Sequence, residues 1–297
     1  MKTLLTAFLT LISCTCFSQI KSIVIDSHSG LTIPYVNISI ENEKKGTSSN
    51  ANGEFELEVD QPKNVVFSAI GYETVKIHSD SIFGKVALKQ LVTDLNEVVV
   101  SSSKKKLKKS IGKFKPSKIH YFYSLHSVPW MHARYFAFQE EYESTPYVKK
   151  IIVYTDSSIE NAKFNVRLYG VNEKGEPEGY LYHKNIIVTA KKGGHKTTID
   201  IADLNIEYPK TGFFVALEGL LIEDNKYEFE YHLSNSNQKR KAKRYEPLFG
   251  TIASDTLDTN WVNYMGKWSK TSKLKDLNLK RYKNKYSPLA MELVLSN

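Results

Sequence analysis

The sequence predicts an all-β protein built as two β-sandwiches. Three observations carry that prediction. Short runs alternate apolar and polar residues with a period of two, turn signals separate them, and no stretch sustains a capped helical period. Aromatic residues make up 12% of the chain, with 18 Tyr. Tyr, Val, Ile and Thr suit a pleated, half-buried surface. A length of 297 residues leaves room for two ordinary domains.

The first residues read as a leader. Lys2 precedes an apolar run, Leu4 to Leu11, that is too short to span a bilayer. Two processing sites are open. Cleavage after Cys16-Phe17-Ser18 would make Gln19 the new N-terminus, whereas Leu11-Ile12-Ser13-Cys14 resembles a lipoprotein box with Cys14 as the lipidated end. Simple cleavage is favoured, because a lipidated Cys14 would leave a very short tether before the first strand. Cys14 and Cys16 are the only cysteines, so cleavage before Gln19 removes both and with them any disulfide or thiolate site. The expected destination is the periplasm or the outer membrane. The domain plan is a signal peptide over 1–18, a first sandwich over 19–100, a linker over 101–117 and a second sandwich over 118–297.

In the first sandwich, Ile20 to Asp26 is a strand. Val36, Ile38 and Ile40 alternate with Asn37 and Ser39 in the next. Asn52-Gly53 is a tight-turn signal, since both residues tolerate positive φ. Glu54 to Val59 alternates strictly, with Phe55, Leu57 and Val59 inward. Val65, Phe67 and Ala69 share one face of a run with Val66 and Ile70 on the other, which places it centrally. Gly71 allows a sharp bend and Tyr72 lays its ring over the core edge. Val75-Ile77, Val86-Leu88 and Asn96 to Val100 complete the series.

These residues resemble a known family. Asp26, Gly30, Pro34 to Ile38, Gly46-Thr47, Asn52 to Phe55, Phe67 to Glu73, Val86 to Leu88 and Leu95 to Val100 are similar to the carboxypeptidase regulatory-like domain of Bacteroidetes envelope proteins. The resemblance implies a transthyretin-like seven-stranded sandwich with no catalytic residues of its own. That domain often precedes a TonB-dependent receptor. Here the chain ends too early for a large barrel and Ser101 opens a lysine-rich stretch, so transport does not carry over.

Ser101 to Ser117 has too few apolar residues to pack and reads as an extended linker. Beyond it, strands are expected at Tyr121 to Tyr123, Ala133 to Phe138, Tyr147 to Tyr154 and Phe164 to Leu168. Further strands are expected at Ile186-Val188, Ile199-Ile201, Phe213 to Leu217, Tyr227 to Tyr231 and Met291 to Leu295. The second body should be a larger, jelly-roll-like sandwich. Asn165 to Tyr169 with Gly175 and Pro177, followed by Thr211 to Leu217, resembles an uncharacterised domain found after the regulatory-like domain in other Bacteroidetes proteins.

Candidate chemistry is sparse. His120, His126 and His132 are evenly spaced, but six residues of strand span about 20 Å, too far to share an ion, and Pro129 interrupts them. No metalloprotease pattern, Gly-x-Ser-x-Gly or P-loop occurs. Asn172 to Glu176 reads as a plain turn and Gly193-Gly194 as a strand connection. No metal, cofactor or enzymatic activity is expected. Net charge is +9, concentrated in Lys104 to Lys109 and Lys239 to Arg244. These clusters read as solvated surface in a linker and a loop, with contact to an anionic envelope surface as the sharper reading and nucleic acid excluded. Trp130, Trp261, Tyr264 and Trp268 lie in Pro- or polar-rich stretches. Together they are the candidate ligand-binding aromatics, for a glycan or an envelope partner, if they gather on one open face; otherwise they fill the core.

Overall fold

The computed structural model describes residues 18–91, 107–232, 238–275 and 279–297. The leader, with Cys14 and Cys16, and the expected strand at Asn96 to Val100 lie outside the described residues.

The N-terminal sandwich uses β1 (Ser18–Asp26), β2 (Asn37–Ile40), β3 (Gly46–Ser48), β4 (Glu54–Val59), β5 (Asn64–Ser68), β6 (Val75–His78) and β7 (Lys85–Leu88). One sheet has the order β4-β1-β7 and the other β3-β2-β5-β6. Seven strands are thus complete at β7. The alternation in β4 is realised residue by residue, with Phe55, Leu57 and Val59 buried and the three glutamates exposed. Phe55 meets Phe67 edge-on at 5.6 Å between the two sheets. In β5, Val65 and Phe67 are fully buried while Val66 is half-buried on the outer face. At the Asn52-Gly53 turn, Asn50 Oδ1 accepts from the N–H groups of Asn52 and Glu54. Gly53 has φ +78°, and a Cβ there would lie 2.8 Å from the Val24 carbonyl.

The C-terminal sandwich uses β8 (Lys108–Ile111), β9 (Phe122–Leu125), β10 (Trp130–Phe136), β11 (Tyr147–Ser157), β12 (Ala162–Val171), β13 (Pro177–Tyr180) and β14 (Ile186–Ala190). It continues with β15 (Gly193–Asp200), β16 (Phe213–Gly219), β17 (Lys226–His232), β18 (Lys239–Gly250), β19 (Asn260–Tyr264), β20 (Lys267–Lys270) and β21 (Met291–Ser296). One seven-stranded sheet runs β13-β12-β16-β10-β19-β20, with β14 also on β12. The other runs β17-β18-β11-β21-β8, with β15 on β11 and β9 on β18. Val148, Ile151, Val153, Leu293 and Leu295 from one sheet meet Phe164, Val166, Leu168, Phe213, Val215 and Leu217 from the other in a single core.

Three stretches differ from expectation. Lys108 to Ile111, read as linker, is a strand on β21, and Phe114 beyond it is buried, so this sandwich begins before Lys118. Its lysines suit an edge strand, where charge faces water; Lys109 pairs with Glu141. Lys239 to Arg244, read as a loop, is half of β18. Its register on β17 sets Lys243 opposite Glu228 and Lys241 opposite Glu230, which offsets the repulsion among its own cations. Asn260 to Tyr264 and Lys267 to Lys270 form a hairpin at the sheet edge, turning at Met265-Gly266 with positive φ at both.

Phe67→Ala removes the ring at the centre of the N-terminal core. A loss of about 3–5 kcal/mol is expected, read as a lower denaturant midpoint for the transition that includes this sandwich.

Candidate functional site

The site is built on the face of the first C-terminal sheet that looks away from the core. In β12, Phe164, Val166 and Leu168 enter the core while Asn165, Arg167 and Tyr169 point to the opposite face. In β16, Phe213, Val215 and Leu217 go inward and Phe214, Ala216 and Glu218 go outward. The register sets Glu218 against Asn165 and diagonal to Arg167. Glu218 is nevertheless 0% exposed and Arg167 only 3%. Arg167 grips the carboxylate with both arms of its fork, Nε to Oε2 at 2.7 Å and Nη2 to Oε1 at 2.9 Å. Asn165 Nδ2 donates to Oε2 at 2.9 Å. Burial alone would lower the Arg167 pKa, but the adjacent Glu218 charge more than offsets this and holds it above its ordinary value.

The remaining donor to Glu218 comes from the other sandwich, since Asn37 of β2 donates from Nδ2 to Oε1. Neighbouring contacts extend the junction. Ser48 N–H donates to the Leu221 carbonyl at 3.2 Å, Leu221 N–H returns to Ser48 Oγ at 3.1 Å, and Thr47 Oγ1 donates to the same carbonyl at 3.3 Å. Asn185 Nδ2 reaches the Pro34 carbonyl at 3.4 Å. β3 is an edge strand, and Leu221 covers that edge. A Cβ at Gly46 would meet the Ile38 carbonyl of the neighbouring strand at 2.5 Å and Pro129 Cδ of the other sandwich at 3.0 Å, so glycine serves both the sheet and the junction.

Away from the junction the same face turns aromatic. Arg167 Nη1 donates to the Tyr180 hydroxyl at 3.3 Å, and the Tyr169 and Tyr180 rings lie 4.7 Å apart. Phe214 contacts Tyr135 at 5.1 Å and Trp261 at 6.0 Å. Trp268 on β20 meets Tyr169 on β12 edge-on at 5.4 Å. Three strands separate β12 from β20 in the sheet order, so the sheet curls over this face. Tyr169, Phe214, Ala133 and Ala216 are buried at its base; Tyr135, Tyr180, Trp261 and Trp268 are half-buried above them.

The four candidate aromatics therefore divide. Trp261 and Trp268 share the curled face. Trp130 and Tyr264 pair on the opposite face of β10 and β19, 5.3 Å apart. There Trp130 stacks near His132 at 5.9 Å, and His132 lies flat on Tyr123 of β9 at 3.7 Å. These rings plug one end of the sandwich between its two sheets. They do not join a common open surface with the other pair, because the odd-even phase of β10 and β19 sends them inward. Tyr135, Tyr169 and Tyr180 join this face although nothing in the sequence marks them as site residues, and Tyr180 lies on β13, a strand that the turn signals before it conceal.

The histidines do not converge. His132 is buried, while His126 is exposed and shares a hydrogen bond with Ser124. Asn172 closes a plain turn, its Oδ1 accepting from the N–H groups of Lys174 and Glu176. A second concavity of about 960 Å³ opens between the sandwiches, walled by β4 on one side and by Lys226, Lys243 and Tyr245 on the other.

Two outcomes follow from this geometry. Glu218→Gln leaves the Arg167 charge buried without a counter-ion and should cost about 3–5 kcal/mol, whereas the double change Arg167→Met with Glu218→Leu should cost less; denaturant titration of both tests this. Burial drives the His132 pKa from 6.5 down to about 3. The unfolded chain then binds this proton first, so stability is full above about pH 6.5 and falls progressively toward pH 3. About 2 kcal/mol of loss between pH 7 and pH 5 is expected from this group. His132→Phe, which keeps a ring on Tyr123, should remove that part of the pH slope in thermal melts.

Comparison with known proteins bears on the N-terminal body. No curated protein matches the sequence. Among solved structures, the chain aligns with the cysteine protease and lectin-like domains of Cwp84, a surface layer associated protein of Clostridium difficile. Identity is 12%, coverage is 95% of this chain and 59% of that one, and the TM-score is 0.33. It also aligns with infectious bursal disease virus Gx strain at 9% identity, covering 95% of this chain and 57% of that one, with a TM-score of 0.26. The chain thus spans less than two thirds of either, and both alignments are too loose to assign anything to it. The family match falls on the segment whose Pro34, Asn37, Gly46 and Thr47 make the junction: residues 20–100 match the family model of the CarboxypepD_reg-like domain.

Proposed function

We propose that the chain is a non-catalytic, exported binding protein of the cell envelope. The CarboxypepD_reg-like domain serves as a docked structural support and the C-terminal sandwich as the binding body. The carrying observation is that one sheet face bears both the junction and a row of aromatic rings. Its charged end, Glu218 with Arg167, receives Asn37 of the support, and its aromatic end leaves Tyr135, Tyr180, Trp261 and Trp268 half-buried on a curled surface. The apolar leader supports export.

The nature of that surface favours a carbohydrate as the bound partner. Aromatic rings supply large contact area at low entropic cost, and a curled, aromatic-lined face with a few polar groups is the usual form of a small-ligand site. The Tyr180 hydroxyl, held by Arg167, supplies a fixed polar group at its rim. A glycan array probed with the full chain should give hits that a Trp261→Ala, Trp268→Ala double variant loses by about tenfold or more in affinity. Hits that survive the double change would remove the aromatic face from the assignment. A silent array, with capture of an envelope protein that does depend on both tryptophans, would replace the glycan by a protein partner.

A further inference from the structure

The basic cluster of the second sandwich, Lys239 to Arg244, forms one strand of a two-stranded ribbon. From Lys226 to His232, β17 pairs only with β18, and Lys239 to Arg244 of β18 pair only with β17. The two faces of this ribbon differ in kind. One interleaves Glu228 and Glu230 with Lys239, Lys241 and Lys243, and contributes Lys226 and Lys243 to the cleft opposite the N-terminal sandwich. The other bears Tyr227, Phe229 and Tyr231 on β17, facing Arg244, Ala242 and Arg240 on β18.

The aromatic face has the geometry of a track. Tyr227 and Phe229 are 5.8 Å apart with planes 17° from parallel, and Tyr231 follows Phe229 at 6.4 Å. Arg244 lies 5.4 Å from the centres of both Tyr227 and Phe229, so its stem and guanidinium extend the ring surface. Its charge is already answered by the buried Glu246 at 2.9 Å. Arg240 is exposed, sits opposite the most open ring, Tyr231 at 41% exposure, and makes no ion pair among the described residues. Between Arg240 and Arg244 no carboxylate belongs to the ribbon's aromatic face, and Glu246, next along it, is buried against Arg244. A guanidinium fork beside a row of rings takes a carboxylate bidentately while the rings take flat apolar surface.

We infer that this ribbon is a binding track for an acidic polysaccharide, a linear polymer whose sugar rings carry carboxylates. Sugar faces lie along Tyr227, Phe229 and Tyr231, and a carboxylate is gripped by Arg240. An anionic lipid surface fits less well, because the rings run in a row along the strand beside the arginines, a shape suited to a linear chain. The track lies on the other sheet from Trp261 and Trp268, and its occupancy does not depend on theirs.

Affinity electrophoresis of the full chain through gels containing polygalacturonate, with dextran gels as the neutral reference, tests the assignment. Retardation by polygalacturonate and not by dextran is expected. Arg240→Gln and Tyr231→Ala should each weaken it about tenfold, and Arg240→Lys should restore only part, since a lysine lacks the fork. Lys241→Gln, which removes the same charge from the opposite face, should change it less than about twofold. Both strands are exposed at these positions, so folding is not at stake. Absence of retardation would overturn the inference. So would an equal loss for Lys241→Gln and Arg240→Gln, which would mean diffuse charge. Tighter binding of a single-stranded oligonucleotide would assign the track to bases instead of sugars.

Discussion

The two sandwiches are joined through one carboxylate. Glu218 has no solvent exposure, and its four close donors are two arms of Arg167, the amide of Asn165 and the amide of Asn37 from the other sandwich. An ion taken out of water costs several kcal/mol, repaid only when geometry is good and the lone pairs are all engaged. Arg167 and Asn165 satisfy part of that need from within the C-terminal sheet. Asn37 completes it, so the charge is best satisfied when the N-terminal sandwich is in place. The pair is therefore better understood as a device that selects one docking geometry than as a source of net stability.

That arrangement explains why one sheet face carries both the junction and the aromatic row. Along β12 the outward positions run Asn165, Arg167, Tyr169, from amide to cation to ring. The gradient lets a wet, polar contact at one end grade into stacked rings at the other. Arg167 belongs to both, since one nitrogen that is not bonded to Glu218 holds the Tyr180 hydroxyl. Junction and aromatic row are linked through a single guanidinium.

The sequence disclosed the alternation but not what covers each face. Phe164, Val166 and Leu168 were readable as core, and six of the seven strands of the N-terminal body were readable from turn signals and period, whereas the short edge strand β3 was not. Asn165 and Arg167 had the pattern of solvated positions. Asn37 of the N-terminal sandwich reaches the carboxylate that they share, and period-2 reading has no term for a neighbouring domain. Glu218 left a faint mark, a lone carboxylate ending an otherwise apolar strand. The lysine strands were missed for a different reason. Repulsion within Lys239 to Arg244 argues for a loop until the partner strand is known to place Glu228 and Glu230 opposite. The tryptophans were found as residues but not as a group, because a strand's phase sends Trp130 and Trp261 to opposite faces although both lie in the same sheet.

The cleft between the sandwiches shows the contrary outcome for the same types of charge. Glu54, Glu56 and Glu58 of β4 form one wall, with Lys226 and Lys243 on the other. Opposite charge alone would draw the walls together, yet the ion pairs formed here lie within one wall or the other. Lys21 holds Glu56 at 2.6 Å and Lys226 holds Glu223 and Glu228 at 3.1 and 3.0 Å. These pairs are exposed, so each contributes little and keeps its hydration. Closing the cleft would strip that water and offer flexible lysines in return for pairs already made. At Glu218 the exchange runs the other way, because a rigid planar fork and fixed amides replace the water completely. Geometry of the donors, more than sign or number of charges, decides which contact between the sandwiches is dry and which stays open.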